Sequence, residues 1–256
     1  MRKALLYGLV VLYIGFVSMD IWNTARLGPG LTNIYLKLMF SLGCLIWIHL
    51  QPRDALEAVD FDLVRIFLLF MVITDFVFAT VAKIWGLLGQ VFFLAGILSA
   101  CFGQFALIVR HLRLWRAHRA QSIAENKLNV SRKAQALYLS LFVLVVAAML
   151  GIGLARSGIQ SVPFVAAYVF VSVASLAAAF LYLFSKTPLR SRLLAFTGVL
   201  LLFISDSFIG LGMFALKDPE LADLLVWVFY APVLLLIGAS ICRLETGPSS
   251  APSLAA

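Results

Sequence analysis

Groups that can hold and pass a proton stand where an apolar chain should carry none. Ser205-Asp206-Ser207 interrupts the apolar run from Leu200 to Gly212, and Thr74-Asp75 interrupts another between Val72-Ile73 and Phe76-Val77. Lys37 lies inside a third run, from Leu31 to Leu50. An aspartate near the centre of a membrane helix costs about 2.5–3.5 kcal/mol on insertion scales. Such a residue therefore faces a protein interior or a wet cavity, and by default it marks a functional site. The competing reading is a structural aspartate bonded to a neighbouring helix. A second hydroxyl–aspartate pair in a separate apolar segment tips the balance toward function.

Two carboxylates and one ammonium in a low dielectric constrain each other. Their residue types predict one aspartate ionised beside Lys37 and the other holding its proton at neutral pH. A general acid with a partner base needs that arrangement, and either aspartate can take either part. The hydroxyls of Thr74, Ser205 and Ser207 are available to orient the carboxylates, although such hydroxyls in membrane helices often bond back to their own backbone. Gln104 and Tyr230 are the remaining polar candidates inside apolar segments, where helix–helix contact is their commoner role. His49, His111 and His118 fall at or beyond the ends of the segments, which argues against a serine–histidine hydrolase or a histidine-ligated metal site. Cys44, Cys101 and Cys242 lack metal-ligand spacing and read as small core residues. Neither a metal nor an organic cofactor is expected.

The elements that must position these groups follow from composition. The chain is 63% hydrophobic and 12% charged, with a mean hydropathy of +1.03. Lipid can cover that much apolar surface, whereas a soluble domain of this length cannot. The apolar runs are continuous rather than alternating, so the expected fold is an all-α polytopic membrane protein and not a barrel. At about 20 residues per crossing, eight spans are predicted: Ala4–Trp22, Leu31–Leu50, Leu63–Ala82, Leu87–Val109, Gln135–Ala155, Val162–Phe184, Leu193–Phe214 and Leu221–Cys242. They make one transmembrane domain over residues 1–244. Residues 245–256, rich in Ser, Pro and Ala, read as a disordered tail. The first run is long and lacks a small-x-small cleavage site, so it reads as an anchor rather than a signal peptide.

Lys and Arg set orientation. Arg2, Lys3, Arg53, Arg65, Lys186, Arg190, Arg192, Arg243 and the basic fourth loop all fall on one side, against Arg26, Lys83, Arg156 and Lys217 on the other. Both termini are therefore expected in the cytoplasm, with a bacterial plasma membrane as the expected location. The net charge of +8 belongs to these loops and to anionic lipid headgroups, above all at Arg110–Lys133, rather than to nucleic acid. Counted from the external ends at 1.5 Å per residue, Lys37, Asp75 and Asp206 lie about 9, 10 and 12 Å deep. Three ionisable groups at one level imply one shared polar pocket. Superposing Asp75 on Asp206 also pairs Ile73 with Ile204 and Thr74 with Ser205, four spans apart, which suggests a parallel repeat of two four-helix halves. Gly96, Ser99 and Gly103, and the run from Ala174 to Ala179, read as helix-packing seams.

Leu202-Phe203-Ile204-Ser205-Asp206-Ser207 resembles the seventh-helix signature of the YhhN family of lysoplasmalogenase-like integral membrane proteins. Asp75 is similar to that family's third-helix aspartate, with Thr74 where a glycine is usual. Lys37 is similar to the lysine of its second-helix Lys-Pro motif, with Leu38 in place of proline. The resemblance implies hydrolysis of the vinyl-ether bond of lysoplasmalogens to a fatty aldehyde and a glycerophospho-alcohol. Asp75, Asp206 and Lys37 would be the catalytic groups, and a lysophospholipid the partner in the membrane. Gln104 and Leu107 stand where the family commonly carries a histidine followed by a tyrosine. Pro232 follows Tyr230-Ala231 where a Tyr-x-x-Gln-like pattern is common. These departures bear on rate and substrate if the histidine takes part in catalysis. Two other classes fit the same residues: a proton- or ion-coupled solute transporter, and a non-catalytic lipid-binding protein.

Overall fold

An apolar segment without water around it must satisfy its backbone within itself, so these runs have little choice but to be helical. A computed structural model describes residues 2–24, 31–51, 58–78, 89–124, 140, 162–214 and 219–242. The described residues form seven helices: α1 Arg2–Thr24, α2 Leu31–His49, α3 Ala58–Phe76, α4 Gly89–Ala124, α5 Val162–Tyr182, α6 Leu189–Phe214 and α7 Pro219–Ala239. Each corresponds to one of the expected spans. The expected fifth span, Gln135–Ala155, lies outside the described residues but for Ser140, as does the tail. Three helices contain stretches long and apolar enough to cross a membrane, Lys3–Trp22, Leu94–Ala117 and Leu189–Ile209, with shorter apolar stretches at Tyr35–His49, Ala166–Tyr182 and Asp223–Ala239.

Two boundaries differ from expectation for one reason. α3 begins at Ala58, ahead of the expected Leu63, and α4 runs on to Ala124 instead of ending at Val109. The first part of the expected loop Arg110–Lys133 is therefore helix. Hydropathy ends a span at the first arginine, but Arg110 is fully buried against Asp60 in the first turn of α3. With its charge met, Arg110 is an ordinary helix former.

Neighbours in the chain pack against each other, and α7 returns to touch α1, α2 and α3, which closes the bundle. Its inside holds Phe16, Phe40, Trp227 and Tyr230. Phe16 meets Phe40 edge-on at 5.5 Å and Trp227 at 5.7 Å. The outside carries Tyr7, Val11, Met39, Phe102, Phe105 and Phe170 exposed. An apolar outside around a partly polar inside is compatible with lipid as the solvent. Gly103 of α4 permits the close crossing with α3: a Cβ there would lie 3.0 Å from the Met71 side chain and 3.4 Å from the Phe67 carbonyl oxygen.

Pro232 sits inside α7. Lacking an N–H, it leaves the carbonyl of Val228 without its helical donor. Tyr13 of α1 supplies a replacement, its hydroxyl donating to the Val228 oxygen at 3.0 Å. This is how a helix-breaking residue is tolerated in an apolar environment. Tyr13→Phe is expected to lower stability by about 1 kcal/mol, the cost of orphaning a part-buried acceptor. In a Pro232→Ala background, where the backbone donor returns, the loss should shrink. Unfolding in detergent of the two single variants and the double variant measures the difference.

Candidate functional site

Asp75 and Asp206 each receive donors from two other helices. Asp75, on α3, is 6% exposed. Ser41 of α2 donates to its Oδ2, and the hydroxyl of Tyr230 on α7 donates to the same oxygen at 3.0 Å. Asp206, on α6, is half-buried. Its Oδ2 accepts from Gln104 Nε2 of α4 at 2.9 Å and from Ser172 Oγ of α5 at 3.1 Å. The hydroxyl of Tyr168, also on α5, is an electrostatic neighbour of Asp206 and lies 3.3 Å from Gln104 Nε2. Tyr230 is within electrostatic reach of Asp75, Asp206 and Tyr168 together. Tyr230, bonded to Asp75, is the residue that links the surroundings of the two carboxyl groups.

Lys37 is placed differently from expectation. Its Nζ lies 2.8 Å from Asp20 Oδ2 on α1 and 2.8 Å from Asp223 Oδ2 on α7. The Trp227 ring is 5.2 Å from the ammonium. Its charge is therefore held by two acids that the sequence puts near span ends, and not by Asp75 or Asp206. Lys37 acts on Asp75 through space. Ser41, one turn further along α2, links the two neighbourhoods, its hydroxyl lying 3.3 Å from the Lys37 carbonyl oxygen.

The hydroxyls nearest the aspartates in sequence turn away from them. Thr74 donates to the carbonyl oxygens of Phe70 at 2.8 Å and Gly96 at 3.4 Å. Ser205 donates to Val226 O at 3.1 Å, and Ser207 to Phe203 O at 2.8 Å. Adjacent residues on a helix point some 100° apart, so a neighbour in sequence is poorly placed to reach the same carboxylate. Of the donors that do reach, Gln104 and Tyr230 are among the expected candidates; Ser41 and Ser172 are not, since a lone serine in an apolar span looks like filler. One signal was available: Ser41 precedes Asp75 by 34 residues, and Ser172 precedes Asp206 by 34.

Further charges are buried in addition to Lys37 and Asp75. Asp20 is buried, and Asp60 and Arg110 are both 0% exposed. Arg110 Nε lies 2.6 Å from Asp60 Oδ1, Nη2 lies 3.3 Å from Oδ2, and Nη1 donates to Ser240 Oγ at 2.9 Å. His111, expected at a span end, is buried and stacks on Tyr182 with centroids 5.1 Å apart. Of the cysteines, Cys44 is buried and Cys101 and Cys242 are half-buried, all three free. Among the described residues no group of three His, Cys, Asp or Glu is placed to hold a metal ion.

The interior acids among the described residues therefore divide into two kinds. Asp20 and Asp60 face a cation in direct contact, whereas the hydrogen bonds of Asp75 and Asp206 come from Ser, Tyr and Gln, and neither makes an ion pair among the described residues. A carboxyl group not fixed by a cation can gain and lose a proton without breaking a salt bridge. No protein-family model, curated protein or solved structure matches this chain.

Proposed function

We propose that the protein is a membrane-embedded lipid hydrolase that cleaves the vinyl-ether bond of lysoplasmalogens, with Asp75 and Asp206 as the acid–base pair. The observation that carries the reading is the pair of carboxyl groups held by neutral donors, where the buried acids Asp20 and Asp60 contact cations. One carboxyl group delivers a proton to the β-carbon of the vinyl ether, forming an oxocarbenium ion at the α-carbon. The other, as carboxylate, stabilises that cation and takes a proton from the water that attacks it. The resulting hemiacetal collapses to a fatty aldehyde and a glycerophospho-alcohol, so the net reaction consumes one water.

In this reading Tyr230 and Ser41 orient Asp75, while Gln104, Ser172 and Tyr168 orient Asp206. Lys37 is a brace between α1, α2 and α7 that also sets the local field. The lysophospholipid enters sideways from the bilayer and keeps its headgroup at the aqueous rim. Arg113 and Arg116, in the last turn and a half of the apolar stretch of α4, would meet anionic headgroups. The host membrane is a bacterial plasma membrane, with both termini cytoplasmic.

The test gives purified protein in detergent a lysoplasmalogen and, separately, an acyl lysophospholipid of the same chain length. Aldehyde release from the first and no fatty acid from the second is the expected result. No aldehyde, together with proton-driven solute uptake in liposomes, would replace this reading with a transporter.

A further inference from the structure

The interval that separates the two aspartates recurs in three pairs of the described helices. Asp206 follows Asp75 by 131 residues, and Ser172 follows Ser41 by the same 131. Val162 and Leu189, which open α5 and α6, follow Leu31 and Ala58, which open α2 and α3, by 131; Pro219 opens α7, 130 residues after Gly89 opens α4. Hydrogen bonds repeat with the helices. Thr74 reaches across to Gly96 O, and Ser205, 131 residues on, reaches Val226 O, 130 residues on. Asp60 meets Arg110, and its counterpart Ser191 donates to the carbonyl oxygen of Ser240, the counterpart of Arg110. A one-residue difference between α6 and α7 accounts for the change of interval.

We infer that the site consists of two equivalent half-sites from a duplicated helical unit, in which Ser41 and Ser172 are matched positioning residues, each for the aspartate of its own half. A donor from the opposite half completes each one: Tyr230 of α7 for Asp75 and Gln104 of α4 for Asp206. The crossing donors are the part that differs. By the same alignment Tyr230 corresponds to Ala100 and Gln104 to Leu234, so each half has kept a polar group at one level and an apolar one at the other. The residue one turn before each serine differs too, Lys37 in one half and Tyr168 in the other. Two carboxyl groups that began alike thus acquired unlike surroundings, which is what an acid and its partner base require. Within the hydrolase reading, each serine fixes its own carboxyl rotamer and donates to one oxygen, leaving the other oxygen for the reacting proton.

The experiment is infrared spectroscopy of the full-length protein in detergent at acid pH. The two protonated carboxyl bands are assigned by their loss in Asp75→Asn and Asp206→Asn. Ser41→Ala should shift the Asp75 band and leave the Asp206 band in place. Ser172→Ala should do the reverse, and threonine at either position should restore the original band. If an alanine variant does not fold, Ser→Cys keeps the volume with a weaker donor and should shift the band in the same direction. Either serine variant moving both bands, or neither, overturns the assignment. This readout needs no substrate, so it stands or falls separately from the hydrolase reading. Where aldehyde release is present, each alanine variant should lower kcat about tenfold or more with KM little changed, and threonine should recover it.

Discussion

Arg110→Met is expected to destabilise the protein by about 3–5 kcal/mol, the largest effect of any single substitution outside the proposed site. The guanidinium is 0% exposed and spends its donors on Asp60 and Ser240. Removing it leaves the fully buried carboxylate of Asp60 without a counter-charge. The double variant Asp60→Leu/Arg110→Met should recover most of that loss, because an apolar pair of similar volume has no charge to desolvate. Unfolding midpoints in detergent for the two single variants and the double variant check both statements. A single-variant loss below about 1 kcal/mol would mean that water or lipid headgroups reach the pair.

Asp75→Asn and Asp206→Asn should each lower kcat for aldehyde release by about 10²–10⁴-fold, the usual contribution of a general acid or base. Asparagine keeps the shape and can still meet the hydroxyl donors, so the variants should unfold close to the parent. Loss of activity without loss of stability separates chemistry from scaffolding. Tyr230→Phe, which removes one donor to Asp75, should cost less than Asp75→Asn, because Ser41 remains.

Much of the scaffold was legible because the helices are apolar on the outside and over most of the inside, and such continuous apolar runs favour helices. The aspartates were legible for the opposite reason: Asp75 and Asp206 are expensive in such runs, so their presence alone is informative. What could not be read was pairing. Lys37 was expected beside those aspartates, yet the acids that meet it, Asp20 and Asp223, lie where charge is cheap and carries no signal. Arg110 looked like the end of a span, because hydropathy weighs a residue alone and Asp60 lies 50 positions away. Thr74, Ser205 and Ser207 drew attention by adjacency, while helical geometry gave the carboxylates to Ser41 and Ser172, which are distant in sequence and adjacent across helices.

The claim on which the rest depends is that two carboxyl groups from α3 and α6 serve a single reaction. Aldehyde release by the double variant Asp75→Asn/Asp206→Asn measures this most directly. Residues that act as one unit are strongly non-additive, so the double variant should be no slower than the slower of the two single variants. Losses that multiply would mean that the two aspartates work independently, and would contradict the account.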